Sequence, residues 1–209
     1  MDSCCEKKSD ELATLKSAQA KVLYIVLAIN AVMFIFEFSS GWLVRSTALL
    51  GDSLDMFGDA SVYALTLFVL HRSNRARAKA AAVKGGVMLL FGVAVIVDAT
   101  YKTITGVMPE ATWMGGVALL ALLANAVCFL LLRRHRSDDL NMRSTWMCSR
   151  NDLIANSSVI GAAVLVAATD SFWPDVIVGF AIACLFIYSA WQVLTEARLA
   201  WLNSLQIRT

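Results

Sequence analysis

The chain has 209 residues, of which 58% are apolar and 16% charged, with two prolines and a net charge of +2. That balance excludes an ordinary soluble domain, a disordered chain and a nucleic-acid-binding tail, since each needs lower hydropathy or a basic run. The five cysteines exclude a disulfide framework as well: they are odd in number, Cys4 and Cys5 are adjacent, and Cys128, Cys148 and Cys184 lie inside apolar stretches. What remains is an all-α polytopic membrane protein.

Residues 1–21 contain Asp2, Glu6, Lys7, Lys8, Asp10, Glu11 and Lys16 and no apolar core, so they read as a cytoplasmic leader and not as a signal peptide. Six apolar stretches follow, near 22–43, 47–70, 85–105, 113–132, 145–168 and 173–195. Each is about 20 residues long, enough to cross a hydrocarbon core of about 30 Å as a helix. Lys and Arg are concentrated before the first span (Lys7, Lys8, Lys16, Lys21), after the second (Arg72, Arg75, Arg77, Lys79, Lys84) and after the fourth (Arg133, Arg134, Arg136, Arg143). On the other side only Arg45 and Lys102 lie near a connection, so the positive-inside rule predicts both termini in the cytoplasm. The expected layout is a transmembrane domain over 22–196 and a short cytoplasmic tail over 197–209, in a membrane such as the bacterial inner membrane.

Acidic side chains at the centre of a membrane helix cost about 2.5–3.5 kcal/mol each on insertion scales, and this chain places several there. The first span holds Asn30, Glu37 and Gly41. The second holds Asp52, Asp55 and Asp59, which at about 100° per residue fall within a stripe roughly 60° wide. Three carboxylates so close in a low dielectric either hold protons or share a cation. In the third and fourth spans, Asp98 and Asn125 suit hydrogen bonds between helices, as does Asn30. On the fifth, Cys148, Asp152 and Asn156 follow at intervals of four and line one face, with Arg150 on the opposite side placed to reach the cytoplasmic surface.

The two polar rows together make a cage of carboxylate oxygens with one thiol, a donor set that suits a divalent cation of borderline softness such as zinc or cadmium. The remaining features have plainer readings. Gly41, Gly85, Gly86, Gly115, Gly116, Gly161 and Gly179 fit close helix contacts, and Cys128 and Cys184 fit small core residues. His71 and His135 fit solvated helix ends, and Trp42, Trp113, Trp146, Trp173 and Trp201 an interfacial aromatic belt.

The run Ser46-Thr47-Ala48-Leu49-Leu50-Gly51-Asp52-Ser53-Leu54-Asp55-Met56-Phe57-Gly58-Asp59 resembles the second-helix signature of the cation diffusion facilitators, a His or Asp followed four residues later by an Asp. Asn30, Glu37 and Gly41 match positions of that family's first helix, Asn125 its fourth, and Trp173-Pro174-Asp175 the acidic turn that opens its sixth. The resemblance implies a six-helix transporter, usually a homodimer, that exchanges a cytoplasmic divalent metal for protons through four ligands. Carried over, these are Asp55 and Asp59 on the second helix and Cys148 and Asp152 on the fifth, with Cys148 where the family has His. An alternative register pairs Asp152 with Asn156, giving an oxygen-only site, and Asp52 stands beside the pair as an alternative ligand or support. Family members commonly carry a cytoplasmic metal-binding domain after the sixth helix. The chain reads as a short member without it, so a homodimer would meet through membrane helices.

The function expected from this reading is zinc- or cadmium-like efflux by metal/proton antiport with alternating access. The metal is cargo, no cofactor is bound permanently, and the partners are the metal ion, protons, the bilayer and a second copy, with no nucleic acid. A membrane metal-binding sensor or accessory subunit without transport is the alternative. Cys4-Cys5 reads as part of the leader or as a gathering point for soft metal, and no nucleophile with a base accompanies Asp52 or Asp59, so an enzyme is not expected. Helical depth leaves one point open: either the fifth helix begins earlier, near residue 140, or Asp55 and Asp152 are not level.

Overall fold

The computed structural model describes residues 17–69, 74–133 and 140–206, and within them the side chains of 21–65, 76, 78–133 and 152–202. The described residues form six α-helices: α1 (Ser17–Leu43), α2 (Thr47–Val69), α3 (Asn74–Thr105), α4 (Ala111–Arg133), α5 (Leu140–Thr169) and α6 (Trp173–Gln206). Long runs of Leu, Ala, Val and Ile with no interior proline favour this outcome, because in an apolar medium every backbone polar group needs a partner within its own segment. Pro109 falls in the α3–α4 connection and Pro174 in the first turn of α6, where no helical hydrogen bond is lost.

The predicted spans lie inside these helices, apart from residue 70, which lies outside the described residues, but several helices run further, α1 starting at Ser17 instead of 22. α3 starts at Asn74 instead of 85, α5 at Leu140 instead of 145, and α6 continues to Gln206, through most of the stretch expected as a separate tail. Hydropathy marks where hydrocarbon gives way to water. Flanks rich in Ala, Leu, Lys and Arg stay helical beyond that point because those residues are good helix formers. α5 begins at Leu140, the earlier start that the question of depth left open.

Five of the helices contain a segment long and apolar enough to cross a membrane: Lys21–Leu43, Ala78–Thr105, Ala111–Arg133, Asp152–Thr169 and Trp173–Leu202. α2 is the exception, since Asp52, Asp55 and Asp59 all fall within it. Its position explains how it carries them. α2 packs against α1, α3, α5 and α6, and its described part has no large exposed apolar side chain. On the other helices such residues are common: Ile35, Ile104, Leu130, Ile154 and Leu185 are each more than half exposed, as lipid-facing side chains should be. α2 is therefore the interior helix of the bundle, and α1–α2, α4–α5 and α3–α6 are the main packing pairs.

Close approaches fix where α2 sits. A Cβ on Gly179 of α6 would lie 2.5 Å from the Thr47 carbonyl, and one on Gly41 of α1 would lie 3.0 Å from the Leu50 nitrogen, so glycine lets both helices reach the α2 backbone. Gly85 likewise faces Leu194 at 2.8 Å, and Gly115 touches Ala163 at an ordinary 3.6 Å. Gly86, Gly116 and Gly161 correct the expectation, for nothing lies within 4 Å of where their Cβ atoms would be and all three face outward. Glycine is common in membrane helices even where no neighbour requires it. Cys184 is a second correction: it is exposed on α6, whereas Cys128 is buried as expected. A thiol is apolar enough for a lipid face as well as for a core.

Below these contacts Phe34, Phe38, Phe57 and Phe91 join α1, α2 and α3, with ring centroids 5.2–5.9 Å apart. The α1–α2 turn closes as a left-handed cap: Arg45 has φ 57°, Ser46 N donates to Gly41 O at 2.9 Å, and Val44 N to Ser40 O at 2.8 Å. Trp42, Trp113 and Trp173 stand exposed at helix ends, as an aromatic belt predicts.

Candidate metal site

Because α2 is surrounded by helices, its acidic stripe has only other helices to face, and it meets α1 and α5. Asp52 is fully buried, Asp55 and Asp59 half-buried. From α5, Asn156 Nδ2 donates to Asp52 Oδ1 at 3.2 Å and also to the Asp152 carbonyl of its own helix at 3.0 Å. Asp152 lies within hydrogen-bonding reach of Asp59 and close enough to Asp55 for the two charges to interact. Tyr63 Oη donates to Asp59 Oδ2 at 3.3 Å. α2 and α5 thus run antiparallel with Asp52 opposite Asn156 and Asp59 opposite Asp152.

Of the four predicted ligands, the structure brings Asp55, Asp59 and Asp152 to one stretch of the interior. Cys148 belongs to α5, but its side chain lies outside the described residues, as do those of Arg150 and Trp146. Cys4, Cys5, His71 and His135 also lie outside the described residues. Among the described residues no three His, Cys, Asp or Glu side chains converge closely enough to enclose a metal. The described carboxylates form a row along α2 with its facing residues, not a closed shell.

Two neighbours carry more than the sequence suggested. Glu37 of α1 is fully buried and within hydrogen-bonding reach of Asp52, so the acidic row has a third wall. Cys128 of α4, read as an isolated core thiol, faces the charges of Asp59 and Asp152 and accepts from Asn30 Nδ2 at 3.8 Å. Asn30 also bonds the Val26 carbonyl at 2.9 Å, so its expected bond across helices is present. No local pattern announces either neighbour, because both come from helices whose facing direction depends on packing.

At the Asp175 end of α2 a separate polar cluster forms. Ser46 Oγ donates to Asp175 Oδ1 at 2.6 Å, and the backbone N–H groups of Thr47 and Ala48 donate to the same carboxylate at 2.8 and 3.0 Å. Ser46 Oγ in turn accepts from Leu49 N at 3.1 Å, so the start of α2 is capped by its own serine and by an aspartate from α6. Lys102 of α3, only 3% exposed, pairs with Asp98 at 2.9 Å and Asp175 at 3.8 Å. Thr47 Oγ1 accepts from Lys102 at 2.8 Å and donates to Asp98 at 2.7 Å. Lys102, counted above only for orientation, is therefore an interior cation. The signal for it was present, since Asp98 and Lys102 stand four apart in an otherwise apolar helix.

Five carboxyl groups from three helices lie along one interior stretch, and like charges so close in a low dielectric require protons or a cation among them. Residues 23–200 match the family model described as the cation efflux transmembrane domain. The chain is 26% identical over 195 residues to "Zinc transporter ZitB" of Yersinia pestis, covering 87% of this chain and 62% of that protein. It is 26% identical over 187 residues to "Metal cation efflux system protein CzcD" of Cupriavidus metallidurans, covering 84% and 59%. It is 23% identical over 196 residues to the "Cadmium, cobalt and zinc/H(+)-K(+) antiporter" of Bacillus subtilis, covering 87% and 63%. The chain thus spans less than two thirds of the length of these curated relatives. With its all-helical membrane architecture and its acidic interior helix, the protein belongs to the cation efflux transmembrane domain family.

Proposed function

We propose that the protein moves a divalent transition-metal ion such as zinc or cadmium out of the cytoplasm in exchange for protons. The observation that carries this reading is the facing of Asp55 and Asp59 on the interior helix with Asp152 on α5. The names of the relatives, which include zinc transport, cation efflux and an antiporter, support the cargo class.

In this reading α2 counts as a sixth span, shielded from lipid by its neighbours, and the Lys and Arg distribution places both termini in the cytoplasm. Asp55, Asp59, Cys148 and Asp152 hold the cargo ion. Binding on the cytoplasmic side displaces protons from the carboxyl groups, and reprotonation on the opposite side releases the ion. Rocking of α2 against α5 alternates the opening, since ligands divided between two helices are separated when the helices part. Asn156 and Asp52 support the row through their mutual hydrogen bond. Assembly as a homodimer through membrane helices belongs to the same reading.

The test is metal flux into proteoliposomes holding the purified protein under an imposed pH gradient. Saturable zinc or cadmium uptake that collapses with the gradient is expected. Asp59→Asn should lower that uptake at least about 100-fold, because an interior carboxylate interaction with the cargo is lost in a low dielectric. Flux unchanged by the substitution overturns the assignment. Metal binding with no flux at all points instead to a sensor or accessory subunit.

A further inference from the structure

Glu37 is fully buried, yet neither Oε1 nor Oε2 meets a hydrogen-bond donor. Asp52 is equally buried: its Oδ1 accepts from Asn156 Nδ2 at 3.2 Å, and its Oδ2 is unmet. Asn156, also 0% exposed, has committed its amide hydrogens to Asp52 and to the Asp152 carbonyl while its Oδ1 is unmet. Asp52 links the three, since it lies within hydrogen-bonding reach of Glu37 and bonds Asn156. Four acceptor oxygens from α1, α2 and α5 therefore converge in the interior with no donor to satisfy them.

Buried polar groups are nearly always satisfied, and in a membrane interior bulk water is not available to do it. A cluster that contains only acceptors, two of its three side chains acidic, is complementary to a positive ion. Its donor set is all oxygen, which suits a divalent cation held by carboxylates and an amide carbonyl and offers nothing to soft-metal selectivity. This differs from the Asp55, Asp59, Cys148 and Asp152 set, which has a thiol. We propose that Glu37, Asp52 and Asn156 form a second, oxygen-only divalent-cation station, about one turn of α2 from Asp55 and about two from Asp59, toward the Asp175 end of that helix. A weaker oxygen station beside a tighter mixed site gives a cation moving along α2 a place to pause without being trapped. That role as a step in transit rests on the transport reading, whereas the site itself does not.

The test counts Mn2+ bound to the full chain in detergent at neutral pH, by equilibrium dialysis with electron paramagnetic resonance detection. Wild type is expected to hold two ions per chain, Glu37→Gln one, and Asp59→Asn one, with the ion retained by Asp59→Asn being the one that Glu37→Gln loses. Asn156→Leu, which leaves both carboxyl groups in place, should weaken the same ion at least tenfold and serves if Glu37→Gln fails to fold. One bound ion in wild type, lost in Asp59→Asn and untouched by Glu37→Gln and Asn156→Leu, overturns the station and leaves the transport reading standing, with Glu37 and Asp52 sharing a proton instead. Two ions that respond as expected, in a protein without flux, uphold the station and overturn the transport reading.

Discussion

α2 buries carboxylates at two places, and the two differ in what meets them. At its first turn Asp175 accepts three hydrogen bonds of 2.6–3.0 Å, and Asp98 is met by both Lys102 and the Thr47 hydroxyl. Farther along, Glu37 has no donor and Asp52 only the amide of Asn156. A carboxylate with a full set of donors and a neighbouring ammonium is a fastening: it ties α3 and α6 to the beginning of α2, where the helix dipole adds to its stability. A carboxylate kept in the interior without donors destabilises the bundle, so it is retained for something that arrives. Asp175, Glu37 and Asp52 are equally buried, and their partners separate structure from function.

That contrast is most exposed to test at Asp175. Replacing it with Ala leaves the Lys102 ammonium and the N–H groups of Thr47 and Ala48 buried with fewer partners, and the protein should lose about 3–5 kcal/mol of stability. Thermal unfolding in detergent, followed by circular dichroism, measures this. A loss under about 1 kcal/mol would mean that the cluster is not a fastening.

Ser46→Ala should cost less, about 1–2 kcal/mol by the same measurement, since Asp175 still covers the neighbouring N–H groups while the serine cap of Leu49 N and the hydroxyl bond to Asp175 are removed. The smallest effect on stability, and the one of opposite sign, belongs to the other region. Glu37→Gln removes a buried negative charge that has no partner, so stability should change by less than about 1 kcal/mol or rise. A large destabilisation would show that Glu37 fastens the bundle after all and would erase the contrast.

Much of the fold was legible because membrane helices are written in long, continuous patterns. All six apolar stretches correspond to helices, and the shared face of Asp52, Asp55 and Asp59 follows from helical periodicity alone. Helix ends were less legible: α3, α5 and α6 extend past the hydrocarbon boundary because helix propensity and hydropathy are separate properties. The candidate site was legible as two rows of residues, and the structure supplied their register. Asn156 stands opposite Asp52 and Asp152 opposite Asp59, a pairing that depends on how α5 is shifted along α2. Glycines were the least readable, since Gly179 and Gly161 look alike in sequence while one lies against the Thr47 backbone and the other faces open space.

The sequence by itself determined that the protein lives in a membrane, where its helices run and which side chains are too costly there to be incidental. Those are local matters, set by the hydropathy of each residue and the 100° step of the helix. Only the tertiary structure decided which acids are satisfied. Asp98, Lys102 and Asp175 come from α3 and α6, far apart in the chain, and become one cluster only when both helices close on the start of α2. Glu37 faces Asp52 because Gly41 lets α1 approach α2 closely. Whether a buried charge is a fastening or a site depends on its neighbours in space, and those are fixed by packing between helices.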